Sequence, residues 1–300
     1  MNNLFGKIVL MVAAYFAVGC TPFNENCVAI CGEDKVWIVD FSKSEGNQRK
    51  DVWFWQANSS VKGLPAEYIN RLQSIDECKA VDNNSKMLIT SSSDCCLLID
   101  IPTKEVLFYA NVVNAHSADL LPNGRIAIAL SINNRGYGNA LELYDISAPE
   151  KCIFRDSLYS GHGVVWNEKR ESLFALGYKE LREYKLKDWQ STTPSLEKVA
   201  EWTLPINSGH DLSPVDDNRM LISGREGVVW FDIEKQEFAP FEPLKDVRGV
   251  KSVNLDPKTN RLIFTKGETS WWTQNIYQRN PDKTVTIDSM KLYKARPLKF

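Results

Sequence analysis

The chain contains a repeated unit, and this repeat constrains the fold more than any other feature. Three copies open with a histidine after a small residue, at Ala115-His116, Gly161-His162 and Gly209-His210, and a fourth copy has Lys251 at this position. The four positions are separated by 46, 48 and 41 residues. In each copy a short apolar segment follows, then a turn and a second apolar segment. Units of this length with several short strands are typical of β-propeller blades.

Strand-like segments along the rest of the chain predict an all-β, six-bladed β-propeller. Blade one begins with three segments rich in β-branched and aromatic residues, at 27–31, 36–41 and 52–56, and a short helix is predicted over 65–74. Its fourth strand is predicted at 290–296, so that the C-terminal strand joins the N-terminal blade and closes the ring. In blade six, strands are predicted at 271–276 and 284–287. A seventh blade would need roughly forty further residues, and none remain.

Composition is that of a globular protein and excludes some partners. The chain has 300 residues, 43% hydrophobic and 25% charged, which is enough for one large propeller domain over 27–300. A net charge of −2 and a pI near 6.0 argue against nucleic acid, which requires a basic surface. No internal apolar run is long enough to span a membrane, and we expect a monomer.

The N-terminus is typical of an export signal. Lys7 precedes an apolar run, and small residues stand directly before Cys20, as in bacterial lipoproteins. We therefore predict a signal peptide over 1–19, a lipid on Cys20, a tether over 20–26, and a lipid-anchored protein of the bacterial cell envelope, at the outer membrane. The alternative is an ordinary secretory signal in which Cys20 occurs by chance.

Two further groups of residues are interpreted structurally. Cys27 and Cys31 alternate onto one strand face as buried thiols, and a bridge from Cys78 to Cys95 or Cys96 is left open. Four aspartates end third strands and are predicted to form turns: Asp40, Asp100, Asp145 and Asp232.

The repeat also predicts a binding site at one mouth of the central channel. The first strand of each blade lies closest to the axis, so residues that open these strands should converge. The predicted set takes Lys79 as the blade-two equivalent of the histidines, with Asp119, Asp211 and Lys294 near by; its members are Glu77, Lys79, His116, His162, His210, Lys251 and Arg296. Trp271 and Trp272 are included because one of the pair could stack on a sugar, with the two rings on opposite strand faces.

Three interpretations of the histidines are open. His116, His162 and His210 could bind one divalent transition metal, Mn or Zn. Together with the lysines they could instead bind a carboxylate or sulfate directly. In the third interpretation, each histidine only caps its own strand and has a purely structural role.

Several segments resemble a known family. These are 76–79, 114–118, 160–166, 208–214, 250–252 and 270–273, and they are similar to an uncharacterised family of six-bladed propeller lipoproteins from gut-type Bacteroidetes. The resemblance implies the fold and the envelope location but no activity. A looser similarity is to oligogalacturonate lyases, which are seven-bladed propellers with a metal on three histidines and a glutamine.

Three functions follow as hypotheses. The first is a lipoprotein that binds a small anionic or sugar ligand at the axial site, directly or through the metal. The second is a metal-dependent lyase or hydrolase of uronic-acid sugars, with Lys79, Lys251 or Arg296 as the base. The third is a scaffold for another protein.

Overall fold

A computed structural model describes residues 23–298 as six four-stranded antiparallel sheets arranged in a ring, which confirms the six-bladed propeller. The strands in chain order are β1 (Cys27–Gly32), β2 (Lys35–Asp40), β3 (Asp51–Gln56), β4 (Ile75–Val81), β5 (Lys86–Ser91), β6 (Cys95–Asp100), β7 (Val106–Ala110), β8 (Ala115–Leu121), β9 (Arg125–Leu130), β10 (Ala140–Asp145), β11 (Cys152–Ser157), β12 (Gly163–Asn167), β13 (Ser172–Leu176), β14 (Glu180–Lys187), β15 (Ser195–Thr203), β16 (Asp211–Pro214), β17 (Arg219–Ser223), β18 (Val228–Asp232), β19 (Glu237–Pro240), β20 (Val250–Leu255), β21 (Leu262–Lys266), β22 (Asn275–Arg279), β23 (Lys283–Thr286) and β24 (Lys294–Pro297).

The ring closes through the C-terminal strand, as predicted. The sheet of blade one has the order β24-β1-β2-β3, and β24 pairs antiparallel with β1 through Cys31–Lys294 and Ala29–Arg296. The observed strand starts four residues later than the predicted segment 290–296. Because β24 covers the inner edge of β1, no unpaired edge is left at the junction of the two chain ends. Blades two to six follow in chain order.

Turn chemistry explains where the strands end. Asp40 accepts a hydrogen bond from the Ser42 N–H at 3.1 Å, and Asp145 accepts one from the Ser147 N–H at 2.9 Å. Asp100 and Asp232 bind backbone N–H groups three residues further on. A carboxylate that satisfies the backbone at a chain reversal favours a turn over a longer strand. The four predicted turn aspartates are therefore confirmed.

The hydrophobic core lies between neighbouring blades. The cluster between blades one and two contains Trp55, Cys27, Cys31 and Cys78, all buried. Every described cysteine is a free thiol, so the bridge from Cys78 to Cys95 or Cys96 is absent from the described part of the chain. The prediction that Cys27 and Cys31 are buried thiols is confirmed.

Two local predictions need correction. The predicted helix is a 3₁₀ helix over Ala66–Leu72, with Pro65 as its N-cap residue. The predicted strand at 271–276 begins only at Asn275, because the preceding residues form a tight loop in which Thr269 and Trp272 pair.

The predicted signal peptide and Cys20 lie outside the described residues. Within the described part of the tether, Phe23 packs on the core between blades one and two. The Arg261 side chain donates to the Asn26 side chain at 3.0 Å. Over residues 23–298, the structure contains no helix long and apolar enough to cross a membrane.

Candidate functional site

The innermost strands of the six blades place one residue each at the same level of the channel. Strand pairing skips Asp76, His116 and Lys251 at a bulge, and His162, His210 and Tyr293 stand directly before the paired part of their strands. We name these residues the histidine layer: Asp76, His116, His162, His210, Lys251 and Tyr293. His116 and His210 are partly exposed, and the other four are buried.

Four of these side chains point into the channel because the residue two positions earlier has a left-handed backbone conformation. Asn114, Ser160, Ser208 and Gly249 have φ angles of 50°, 52°, 57° and 70°. This conformation is costly for residues other than glycine, so its recurrence before His116, His162, His210 and Lys251 marks a backbone feature that the fold maintains. The bend re-aims the next side chains, as bulges do near functional sites.

The backbone bend also fixes the orientation of two imidazoles. The Nδ1 of His116 lies 3.1 Å from the Asn114 carbonyl, and the Nδ1 of His162 lies 2.8 Å from the Ser160 carbonyl. Because a carbonyl only accepts, Nδ1 must carry the proton in both rings. The Nε2 lone pair of each ring is then left as an acceptor or ligand atom.

The three imidazoles are in contact. Ring centroids of His116 and His162 are 4.4 Å apart, and those of His162 and His210 are 5.3 Å apart. The Lys251 ammonium lies 3.1 Å from Nε2 of His210. The Nδ1 of His210 is buried and has no hydrogen-bond partner among residues 23–298. Such an orphan polar atom is uncommon in a protein interior, and here it leaves a donor or acceptor of His210 free for another molecule.

Burial keeps this layer weakly charged. It lowers the pKa of His210 to about 3, assisted by the positive charge of Lys251. It also holds the pKa of His162 well below its usual range and lowers that of His116, although Asp76 opposes the latter shift. Burial, together with Lys294, lowers the pKa of Lys251 to about 8. Burial also raises the pKa of Asp76. At neutral pH the layer therefore presents three neutral imidazoles, the Asp76 carboxyl and one cation that loses its proton easily.

The described residues contain no preformed site for the predicted metal. Among residues 23–298, no group of three or more His, Cys, Asp or Glu side chains is arranged so that it could hold an ion. The neutral rings and their fixed tautomers are compatible with a ligand role, because metal-binding imidazoles usually donate their other N–H to a carbonyl. A bound metal stays a prediction.

The predicted membership of the site is partly wrong. Lys79 lies three residues beyond Asp76 on β4, so Asp76, not Lys79, is the equivalent of the histidines. The Lys79 ammonium donates to the Val164 carbonyl at 2.8 Å and lies 3.4 Å from Asp119. It lines a cavity of 320 Å³ at the other end of the channel, which Arg296 also lines.

Asp76 and Tyr293 were missed by the sequence reasoning. A signal existed, because the residue two positions after each layer member is small or apolar, as in Cys78, Ala118 and Val253. Aligning the inner strands on that position would have selected Asp76 and Tyr293.

Below the histidine layer, four charged side chains fill the channel. We name them the charge network: Glu77, Asp211, Lys294 and Arg296. Arg296 donates Nε to Glu77 at 2.7 Å and Nη1 to Asp211 at 2.8 Å, and its Nη2 contacts both carboxylates. Lys294 lies 3.2 Å from each of the same two carboxylates. Glu77 and Asp211 come from blades two and five, on opposite sides of the ring, so the network spans the axis.

The charge network is internally satisfied. Burial opposes ionisation of Glu77, but Arg296 and Lys294 overcome it and lower the pKa of Glu77. Asp211 and Glu77 likewise hold the pKa of Arg296 well above its usual value, against the effect of burial. A guanidinium held this way is a poor proton acceptor, so the geometry does not favour Arg296 as the base.

Trp271 and Trp272 lie on the same side of the propeller as the histidine layer, and both line one cavity. The expectation of opposite faces is wrong, because the two residues sit in a loop and not in a strand. Trp271 is 59% exposed, whereas Lys291 lies over the ring of Trp272 at 5.5 Å.

The fold and the axial layer define this chain as a six-bladed β-propeller with a polar site at one end of its channel. The chain belongs to DUF6528, a family of unknown function, whose pattern matches residues 23–299. The crystal structure of a protein of unknown function from Bacteroides caccae is similar, with a TM-score of 0.59, 10% sequence identity, and coverage of 92% of this chain and 100% of that chain. At this identity the likeness shows the fold alone. No curated protein matches the chain.

Proposed function

We propose that this protein is a cell-envelope lipoprotein whose propeller binds an acidic carbohydrate at the histidine layer. The observation that carries the proposal is the state of Lys251. Its ammonium is buried, yet no carboxylate of residues 23–298 lies within ion-pair distance. A buried charge is costly unless it is paired, and a ligand carboxylate would supply the partner.

The imidazoles complete a site for such a ligand. The neutral rings of His116 and His162 each present an Nε2 acceptor, which suits the hydroxyl groups of a sugar, while the Lys251 ammonium faces its carboxylate. Asp76 and Tyr293 supply further polar groups at the same level. A concave site with a few convergent polar groups is the usual form of a small-molecule site. The lipoprotein part of the proposal rests on the sequence before Cys20.

Isothermal titration with a galacturonic acid trisaccharide, against the corresponding neutral trisaccharide, tests the proposal. We expect only the acidic probe to bind. His162→Ala and Lys251→Met should each weaken binding about tenfold or more, because each removes a hydrogen-bonding group from the contact, while the melting temperature changes little. Lys79→Met is the matched control, since it removes a lysine from the other end of the channel.

Two outcomes would count against the proposal. One is the absence of binding by any acidic saccharide, which would leave the scaffold hypothesis. The other is a large loss of stability in His162→Ala with unchanged binding. Titration after treatment with EDTA distinguishes direct binding from binding through Mn²⁺ or Zn²⁺.

A second function, a uronic-acid lyase, is favoured by the lowered pKa of Lys251, about 8. A neutral amine could take the proton next to the sugar carboxylate, after which the bond to the leaving oxygen breaks and an unsaturated uronide remains. Incubation with polygalacturonate should then raise the ultraviolet absorbance of unsaturated ends, and Lys251→Met should stop this. A wild-type protein that binds the polymer and yields no such absorbance is a binding protein only.

A further inference from the structure

Among residues 23–298, the most exposed aromatic rings lie on the face where the inner strands begin, which we name the histidine face. Tyr137, Trp271 and Tyr159 are 68%, 59% and 55% exposed. Tyr137 lies in the loop between β9 and β10, Trp271 in the loop between β21 and β22, and Tyr159 three residues before His162. Of these rings, Trp271 lines a cavity on this face, so it can stack on a bound molecule.

One cavity on this face joins the histidine layer. It has a volume of 380 Å³ and is lined by Trp271 and Trp272 on one side and by the layer members Asp76 and Tyr293 on the other. A ligand in the axial site can therefore continue into this cavity without leaving the protein surface.

The chemistry of the cavity differs from that of the axial site. Glu33, Asp34 and Asp76 contribute carboxylates, and Gln73 contributes an amide. Lys35 partly neutralises the first two, at 3.6 Å from Glu33 and 3.4 Å from Asp34. Lys291, the cation that lines the cavity, lies over Trp272. The acceptors suit hydroxyl groups, the exposed Trp271 ring suits the apolar face of a sugar, and the acidic lining disfavours a second anion.

We infer that this cavity is a second subsite, which holds a neutral sugar residue of a chain whose acidic residue occupies the histidine layer. The inference rests on the proposed function and makes it more specific, because the ligand becomes a mixed oligosaccharide with an acidic unit and a neutral neighbour. Two adjacent acidic units would place the second carboxylate against Glu33 and Asp34.

Titration calorimetry with four probes tests this subsite: glucuronic acid, a disaccharide of glucuronic acid with a neutral hexose, a disaccharide of two glucuronic acids, and a disaccharide of two neutral hexoses. We expect the neutral extension to raise affinity about three- to tenfold and the acidic extension to give no gain. Trp271→Ala should remove the gain and leave the binding of glucuronic acid unchanged. Phe54→Ala is the matched control, because Phe54 is 37% exposed on the outer strand of blade one.

The outcomes separate the subsite from the proposed function. If glucuronic acid binds but Trp271→Ala does not change the affinity of the mixed disaccharide, the subsite is wrong and the axial site stands. Suppose that the neutral hexose disaccharide binds and that Trp271→Ala weakens this binding, whereas Lys251→Met does not change the affinity of any acidic probe. The subsite then stands and the axial function is wrong. Absence of binding by every probe overturns both.

Discussion

Lys251 and Lys294 are buried lysines on the innermost strands of blades six and one, yet their surroundings differ. Lys294 lies 3.2 Å from both Glu77 and Asp211, while the Lys251 ammonium lies 3.1 Å from Nε2 of His210 and 5.9 Å from the Tyr293 ring, with no carboxylate of residues 23–298 within ion-pair distance. The charge network below is paired within the protein, and the histidine layer above it is not. Paired buried charges contribute to a single defined structure, whereas an unpaired one indicates a place for a ligand.

The largest effect is expected from breaking the charge network. Arg296→Met would leave Glu77 and Asp211 buried with one cation between them. Breaking a buried ion pair in this way costs about 3–5 kcal/mol of unfolding free energy. Denaturant unfolding of wild type and variant measures the change. A loss below about 1 kcal/mol would show that the two carboxylates find water or a proton at little cost, and the distinction between the two levels would weaken.

The two lysines provide a matched pair for the next test. Lys294→Met should destabilise the fold by about 3 kcal/mol, because two carboxylates then share one guanidinium. Lys251→Met should stay within about 1 kcal/mol of wild type or be stabilising, because it removes a buried charge that has no anionic partner. Denaturant unfolding of both variants and of the wild type measures the two changes in unfolding free energy. Equal losses in both variants would contradict the comparison.

Lowering the pH should destabilise the histidine layer and the charge network in different pH ranges, because their groups have different pKa values. The folded pKa of His210 is about 3, against an ordinary value of 6.5, so the unfolded chain binds more protons in this window and stability falls as the pH drops from 6.5 towards 3. Glu77 also has a lowered pKa, against an ordinary value of 4.5, so its contribution is present above that value and is lost as the pH falls through its folded pKa.

Two variants test which residue is responsible for each pH range. His210→Gln should reduce the slope of unfolding free energy against pH between 6.5 and 4.5, a range in which His116 and His162 also contribute, and Glu77→Gln should reduce it only below 4.5. The dependence is followed by denaturation at a series of pH values. A His210→Gln profile that matches wild type above pH 4.5 would mean that His210 is not buried in its neutral form.

The smallest effect concerns the backbone bend that aims Lys251. Gly249 has a φ angle of 70°, and an added Cβ would meet no atom closer than 3.9 Å, so the cost of a side chain is conformational and not steric. Gly249→Ala should cost about 1 kcal/mol, and Gly249→Asn about half of that, because asparagine tolerates this conformation better. Thermal unfolding compares the two. An alanine variant as stable as wild type would show that the bend is not needed.

Much of the architecture was predictable because it is local and periodic. The spacing of His116, His162 and His210 predicted the repeat, and alternating apolar residues with aspartates at the turns predicted the strands. The Trp271-Trp272 pair misled the strand prediction, since an apolar pair in a loop resembles a strand start. The level of Lys79 was also wrong: Lys79 lies three residues beyond Asp76 on β4, and its charge resembled that of Lys251 more than the carboxylate of Asp76 did.

The sequence by itself determined the six blades, the closing strand and the convergence of three imidazoles, because each depends on short-range patterns repeated along the chain. Only the tertiary structure decided which charges meet across the axis. Glu77 and Arg296 are 219 residues apart in the chain, and Asp211 and Arg296 are 85 apart. Ring closure sets these contacts, and no local pattern encodes them. The same closure leaves Lys251 without a carboxylate partner among residues 23–298, because Glu77 and Asp211 pair with Arg296 and Lys294.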